Sequence, residues 1–141
     1  DHLYSAIFTL KFYFGMSLLI IDDDPIYRFS FKKIVASIRP DIELDTVNDG
    51  QEAIRYFNPA EGRHKKVKLI LVDLNMPVMD GWGFLDAYRL MPFGKEHISV
   101  YIVSSSSNPS DLDRSEEYPE VSGYLVKPIK REALLELLEK L

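Results

Sequence analysis

The stretch LLIIDDDP, residues 18–25, ends an aliphatic run in three consecutive aspartates, Asp22, Asp23 and Asp24. Two carboxylates ~4 Å apart repel by about 4 kcal/mol at an effective dielectric near 20. A solvated turn tolerates such a cluster, and so does a cation held within it. Three further aliphatic runs also end in polar groups: Asp73 in LILVDLNMP, Ser104 in VYIVSSSS and Lys127 in GYLVKP. Taken singly these are a turn former, a helix cap and a surface lysine. Taken together on one sheet edge they are three carboxylates, a hydroxyl and an ammonium, a set suited to phosphoryl transfer. A few hard oxygen donors, with water completing the shell, suit Mg²⁺ or Mn²⁺ rather than zinc. Asp22 and Asp23 would hold the ion with Asp73, while Asp24 faces a helix start, where its charge favours the macrodipole. A carboxylate can attack phosphorus to form an acyl phosphate, with the metal neutralising charge on the transferring oxygens. Ser104 can donate a hydrogen bond to one phosphoryl oxygen and Lys127 can pair with another.

That edge exists only if the runs are neighbouring strands. Five aliphatic runs, at 17–21, 42–47, 68–72, 100–103 and 123–126, alternate with helical patterns. The first helix, PIYRFSFKKIVASI, opens on Pro25 and sets Tyr27, Phe31, Ile34, Val35 and Ile38 on one face. Then come GQEAIRYF, GWGFLDAYRL, a weakly apolar stretch ending at Pro119, and KREALLELLEKL. Several runs are continuously apolar, as strands covered on both faces are. The pattern predicts an α/β fold with a doubly wound five-stranded parallel sheet, helices on both faces and ligands bound beyond the strands' carboxyl ends.

With 141 residues the chain has room for one domain with a real core, and 46% hydrophobic with 28% charged residues is ordinary for a globular chain. Net charge is −5 and the basic cluster GRHKK is short, which argues against direct binding to nucleic acid or an anionic membrane. The absence of cysteine removes disulfides and thiolate metal sites, and fits a reducing cytoplasm. His2, His64 and His97 lack metal-ligand spacing and read as surface residues. Residues 1–15, DHLYSAIFTLKFYFG, read as a leader of artificial or mis-called origin before Met16, with a pattern that suits either strand or helix. Residues 16–141 then form the domain.

The motifs LLIIDDDP, LILVDLNMPVMDGWGFL, VYIVSSS and GYLVKPI, in this order, resemble response-regulator receiver domains of two-component signalling, from about residue 17 to 141. The resemblance implies a flavodoxin-like strand order 2-1-3-4-5. It makes Asp73 the acceptor of a phosphoryl group from a histidine kinase or histidine phosphotransfer protein. Asp23 would bind Mg²⁺ directly and Asp22 through water, with the backbone carbonyl of Asn75 as a further ligand. Ser104 and Tyr124 become the switch pair and Lys127 the phosphoryl-binding lysine. The Lys127–Pro128 bond is expected to be cis, and Asn75 and Ser106 to tune phosphoryl lifetime. The chain would be no enzyme beyond self-phosphorylation from small donors and slow self-dephosphorylation. Phosphorylation would reshape the face of helix four, strand five and helix five for a protein partner. The module would be a cytoplasmic monomer or phosphorylation-dependent homodimer, standing alone or as part of a longer protein. SSSS replaces the usual Thr-Ala, so Ser105 alters the resting bias; helix four looks marginal, and Trp82 reads as half-buried packing. The rival is a Mg²⁺-dependent phosphohydrolase of haloacid dehalogenase type, using Asp22 and Asp24 with Ser104 and Lys127. It lacks a late acidic pair and a cap domain. A degenerate receiver would not retain every acid, and a nucleotide site would need a glycine-rich loop.

Overall fold

The structure is a computed structural model that describes residues 2–3 and 16–141; the leader pattern of 4–15 lies outside the described residues. Five strands, β1 (Ser17–Ile21), β2 (Glu43–Val47), β3 (Val67–Val72), β4 (Ser99–Ser104) and β5 (Val121–Val126), alternate with helices. The helices are α1 (Pro25–Ile38), α2 (Gly50–Tyr56), α3 (Gly81–Arg89), α4 (Pro109–Ser115) and α5 (Arg131–Glu139), with two short 3₁₀ turns before β3. All strand pairs are parallel, in the order β2-β1-β3-β4-β5. This is the flavodoxin-like order, with β2 and β5 at the edges.

Each helix starts where a short polar side chain or a proline favours it. Asp24 caps α1, accepting from the amides of Ile26 and Tyr27, and Pro25 occupies the first turn where no amide partner is needed. Asp49 caps α2 by accepting from the Glu52 N–H, and the Glu52 carboxylate accepts from the backbone N–H of Asn48, the residue before the cap. Asp80 and Asn108 cap α3 and α4. Helix α4 thus forms despite its thin apolar face.

Two apolar cores sandwich the sheet. One joins alternate residues of β1, β3 and β4 to Phe57, Phe84, Leu85 and Tyr88; the other joins the opposite set to Phe31, Val35, Leu134, Leu137 and Leu138. Burial departs from the sequence pattern at three places. Ile34 on α1 is exposed, because the helix turns only Phe31 and Val35 fully onto the sheet. Strand β5 has no fully buried residue, as befits an edge. Trp82 is buried rather than half-buried, stacked on Tyr118 at 5.4 Å with the Arg114 guanidinium 4.5 Å over its ring. His64 likewise does more than face water, stacking on Phe93 at 4.5 Å while its carbonyl meets the His97 ring nitrogen at 2.7 Å.

Phe57, 2% exposed, lies against Phe84, Tyr88 and Phe93, with ring centroids at 6.4, 6.0 and 5.7 Å. Phe57→Ala is expected to cost about 3–5 kcal/mol of stability, read as a lower denaturation midpoint with an unchanged slope.

Candidate functional site

Three backbone hydrogen bonds extend the sheet one residue past its strands and bring the polar strand ends together. Asp22 N–H donates to the Val47 carbonyl at 3.1 Å, Asp73 N–H to Ile21 at 2.9 Å, and Lys127 N–H to Ser104 at 2.8 Å. The turn after β1 is held by Asp24 N–H donating to the Asp22 carboxylate and by the Arg28 guanidinium donating to the Asp22 carbonyl, at 2.9 and 2.7 Å. Gly81 N–H donates to the Leu74 carbonyl at 3.0 Å. A side chain there would run into the Asp73 carbonyl oxygen and come within 2.9 Å of the Leu74 Cα, so only glycine lets α3 start this close to Asp73. In the intervening loop exposed Val78 takes φ 67°, a strained backbone for a β-branched residue.

The result is a compact acidic cluster. Asp22, Asp23 and Asp73 each offer a carboxylate oxygen, all within 4.8 Å of one another; Asp22 and Asp73 are buried and Asp23 faces solvent. Lys127 Nζ lies 2.6 Å from Asp22 and 3.7 Å from Asp73. The Tyr27 ring covers the same ammonium, its centroid 4.2 Å from Nζ. Burial pushes the Asp73 carboxyl up to about 6, and the charges of Asp22 and Asp23 add to the rise; Lys127 and the Asn75 amide oppose it. Two buried acids and an exposed one leave more negative charge than one ammonium cancels. The hard-oxygen donor set and its residual charge fit a small divalent cation.

The other expected site residues divide into two groups. Ser104 is fully buried at the β4 end, its hydroxyl accepting the Ser106 backbone N–H at 3.1 Å, and Asn75 sits exposed beside Asp73, its backbone N–H donating to that carboxylate at 3.4 Å. The Lys127–Pro128 bond is cis. Ser106 turns its hydroxyl away, donating to Asp111 on α4 at 2.6 Å and accepting the Asn108 amide at 3.2 Å. Tyr124 donates its hydroxyl to the Ser106 carbonyl at 2.8 Å, tying β5 to the loop before α4. Asp24 is spent on the α1 cap and is exposed. Sequence reasoning placed Tyr27 only on the core face of α1 and gave Arg28 no part. Their spacing of four and five residues from Asp23, in the first turn of α1, was the available signal.

Residues 18–139 match the family model described as response regulator receiver domain. Among curated proteins, the nitrate/nitrite response regulator NarL of Escherichia coli is 31% identical over 125 residues, covering 88% of this chain and 53% of its own length. The peroxide stress-activated histidine kinase mak3 of Schizosaccharomyces pombe is 29% identical over 128 residues, 88% of this chain but 5% of the kinase. The chain thus spans about half the length of NarL and about a twentieth of the kinase. Among solved structures, a two-component response regulator from Cytophaga hutchinsonii superposes with a TM-score of 0.77 at 31% identity, covering 89% of this chain and 96% of that one. The chemotaxis protein CheY4 of Vibrio cholerae follows at 0.70 and 25%, covering 89% and 98%.

Because the folded Asp73 carboxyl holds its proton to higher pH than an unfolded aspartate, its contribution to stability is complete below about pH 4 and lost as pH rises through about 6. Asp73→Asn is therefore expected to be the more stable protein at about pH 7.5 without divalent cations, by roughly 2 kcal/mol, with the gap closing near pH 4.5. Urea denaturation of both proteins at the two pH values checks this.

Proposed function

The chain belongs to the response regulator receiver domain family, and from that premise we propose that Asp73 accepts a phosphoryl group in a histidine-to-aspartate phosphorelay. Receiver domains are phosphoacceptors that take phosphate from histidine kinases, and the carboxylate cluster closed by Lys127 is the observation that carries the reading for this chain. The donor is a histidine kinase or a histidine phosphotransfer protein. Asp73 Oδ attacks phosphorus in line, an acyl phosphate forms, and the donor's imidazole nitrogen leaves with the bonding pair, taking a proton from solvent. Asp22, Asp23, Asp73 and the Asn75 backbone carbonyl would hold Mg²⁺ or Mn²⁺, which when bound supplies charge neutralisation at the transferring oxygens.

The chain's own residues do the rest. Lys127 is the phosphoryl-binding cation, and moves from its pairing with Asp22 to a phosphoryl oxygen. Ser104 leaves the Ser106 amide and donates its hydroxyl to another. That motion pulls on the segment that receives the Tyr124 hydroxyl and carries the Ser106–Asp111 bond into α4. The α4–β5–α5 face is thereby shifted between two arrangements that a protein partner, or a second copy of the chain, tells apart. Asn75 tunes phosphoryl lifetime from the rim of the site; Ser106 does so through its tether to α4. Residues 16–141 form the receiver, separate from the leader 1–15, and work in the cytoplasm without direct contact with nucleic acid or membrane. No helix among the described residues is long and apolar enough to cross a membrane. The phosphohydrolase reading has no support: the family match runs over 18–139, and Asp24, its acid/base, is committed to capping α1.

Incubation with acetyl phosphate and Mg²⁺, read by intact mass, is expected to add one phosphoryl group to the wild type and none to Asp73→Asn. Release of inorganic phosphate from model esters that is lost in Asp22→Asn, with no mass gain, would overturn the reading.

A further inference from the structure

Tyr27 presents its ring face to the Lys127 ammonium, and its hydroxyl lies within the electrostatic reach of Asp22 and Asp73. Lys127 has a flexible four-carbon stem ending in a strongly hydrated ammonium, and such a group gains entropy and water by swinging outward. It is nevertheless held in: its side chain is 19% exposed, with Asp22 at 2.6 Å on one side and the Tyr27 ring centroid at 4.2 Å on another. A ring face within about 6 Å of a cation attracts it through the ring quadrupole, the more strongly where water is excluded. Tyr27 is itself fixed. Its amide donates to the Asp24 cap at 3.3 Å, and its ring packs on Phe31 one turn along α1 at 5.8 Å. Ring and aliphatic neighbours Pro128 and Ile129 line one small cavity, which places the α1 start against the segment that follows Lys127.

We propose that Tyr27 is a positioning residue for phosphoryl transfer to Asp73, its ring face bracing the Lys127 ammonium against the carboxylates and closing the outward path to solvent. This rests on the reading of Asp73 as phosphoacceptor. The brace confines Lys127 to the short arc between Asp22 and Asp73, which are 2.6 and 3.7 Å from Nζ, so the ammonium reaches an arriving phosphoryl oxygen without first being recovered from water. An aliphatic side chain of similar size would fill the same space and hold nothing.

Tyr27→Phe and Tyr27→Leu separate the ring face from simple packing, with Tyr27→Met in place of the leucine variant should that one not fold. Two quantities are read on the full chain: the initial rate of phosphorylation by acetyl phosphate with Mg²⁺, and the NMR shift of the Lys127 ε protons, which a ring face moves upfield. The phenylalanine variant is expected to keep the rate within about two-fold and to keep the shift; the aliphatic one is expected to lose the shift and slow about five-fold. An aliphatic variant as fast as wild type, or a phenylalanine variant as slow as the aliphatic one, would overturn the brace. A wild type that takes up no phosphoryl group would instead overturn the reading of Asp73. The brace would then stand or fall on the Lys127 shift, and unshifted ε protons in the wild type would end it.

Discussion

Mutual repulsion among Asp22, Asp23 and Asp73 is the constraint around which this end of the molecule is arranged. Their oxygens lie within 4.8 Å, and Asp22 and Asp73 have almost no water to screen them. One ammonium, Lys127, meets this charge from the far edge strand, so a pairing between β1 and β5 spans the sheet. Removing one partner of such a buried pair leaves an uncompensated charge, a loss of about 3–5 kcal/mol in known cases. Burial is the main cause that raises the Asp73 carboxyl, with the charges of Asp22 and Asp23 adding to it and Lys127 opposing it. A fold that keeps such strain at its sheet edge has a use for a further positive charge there.

The scaffold fixes the acids by short backbone links rather than by long side chains. Asp73 rides on an amide bond to the β1 end, and Lys127 rides on one to the β4 end. Gly81 lets the α3 start press against the Asp73 backbone, and α3 leads through buried Trp82 to Tyr118 and Arg114 at the end of α4. On the other side, Ser104, Ser106, Asp111 and Tyr124 are linked in sequence by three hydrogen bonds. Helix α4 is therefore joined to the acidic site from both directions while burying few apolar groups of its own. Short elements with little burial open most readily, which suits an element that changes position.

Strand positions, the start of α1 and the polar strand ends were legible in the sequence because each depends on local chemistry; the caps Asp49, Asp80 and Asn108 were not singled out. Aliphatic runs fix buried strands, Asp24–Pro25 announces a helix start, and an aspartate after a run marks a carboxyl edge. What was not legible depends on rotation and on partners distant in the chain. The helical repeat grouped Ile34 with Phe31 and Val35, yet the angle at which α1 lies on the sheet leaves Ile34 in water. The depth of Trp82 depends on Tyr118, thirty-odd residues away. The ring of Tyr27 finds Lys127 only through packing of the α1 start against the segment after β5. The direction of the Ser106 hydroxyl, toward Asp111 rather than the acids, is likewise a matter of rotamer that residue type does not reveal.

A divalent cation among Asp22, Asp23 and Asp73 would relieve the repulsion that these acids carry in the free protein. Thermal unfolding followed as Mg²⁺ is titrated at neutral pH tests it most directly, since a ligand that binds only the folded state must raise its stability. A saturable rise of several degrees is expected for the wild type, much reduced in Asp73→Asn, where both the repulsion and a ligand are gone. An unfolding temperature indifferent to Mg²⁺, or an equal rise in the variant, would contradict it.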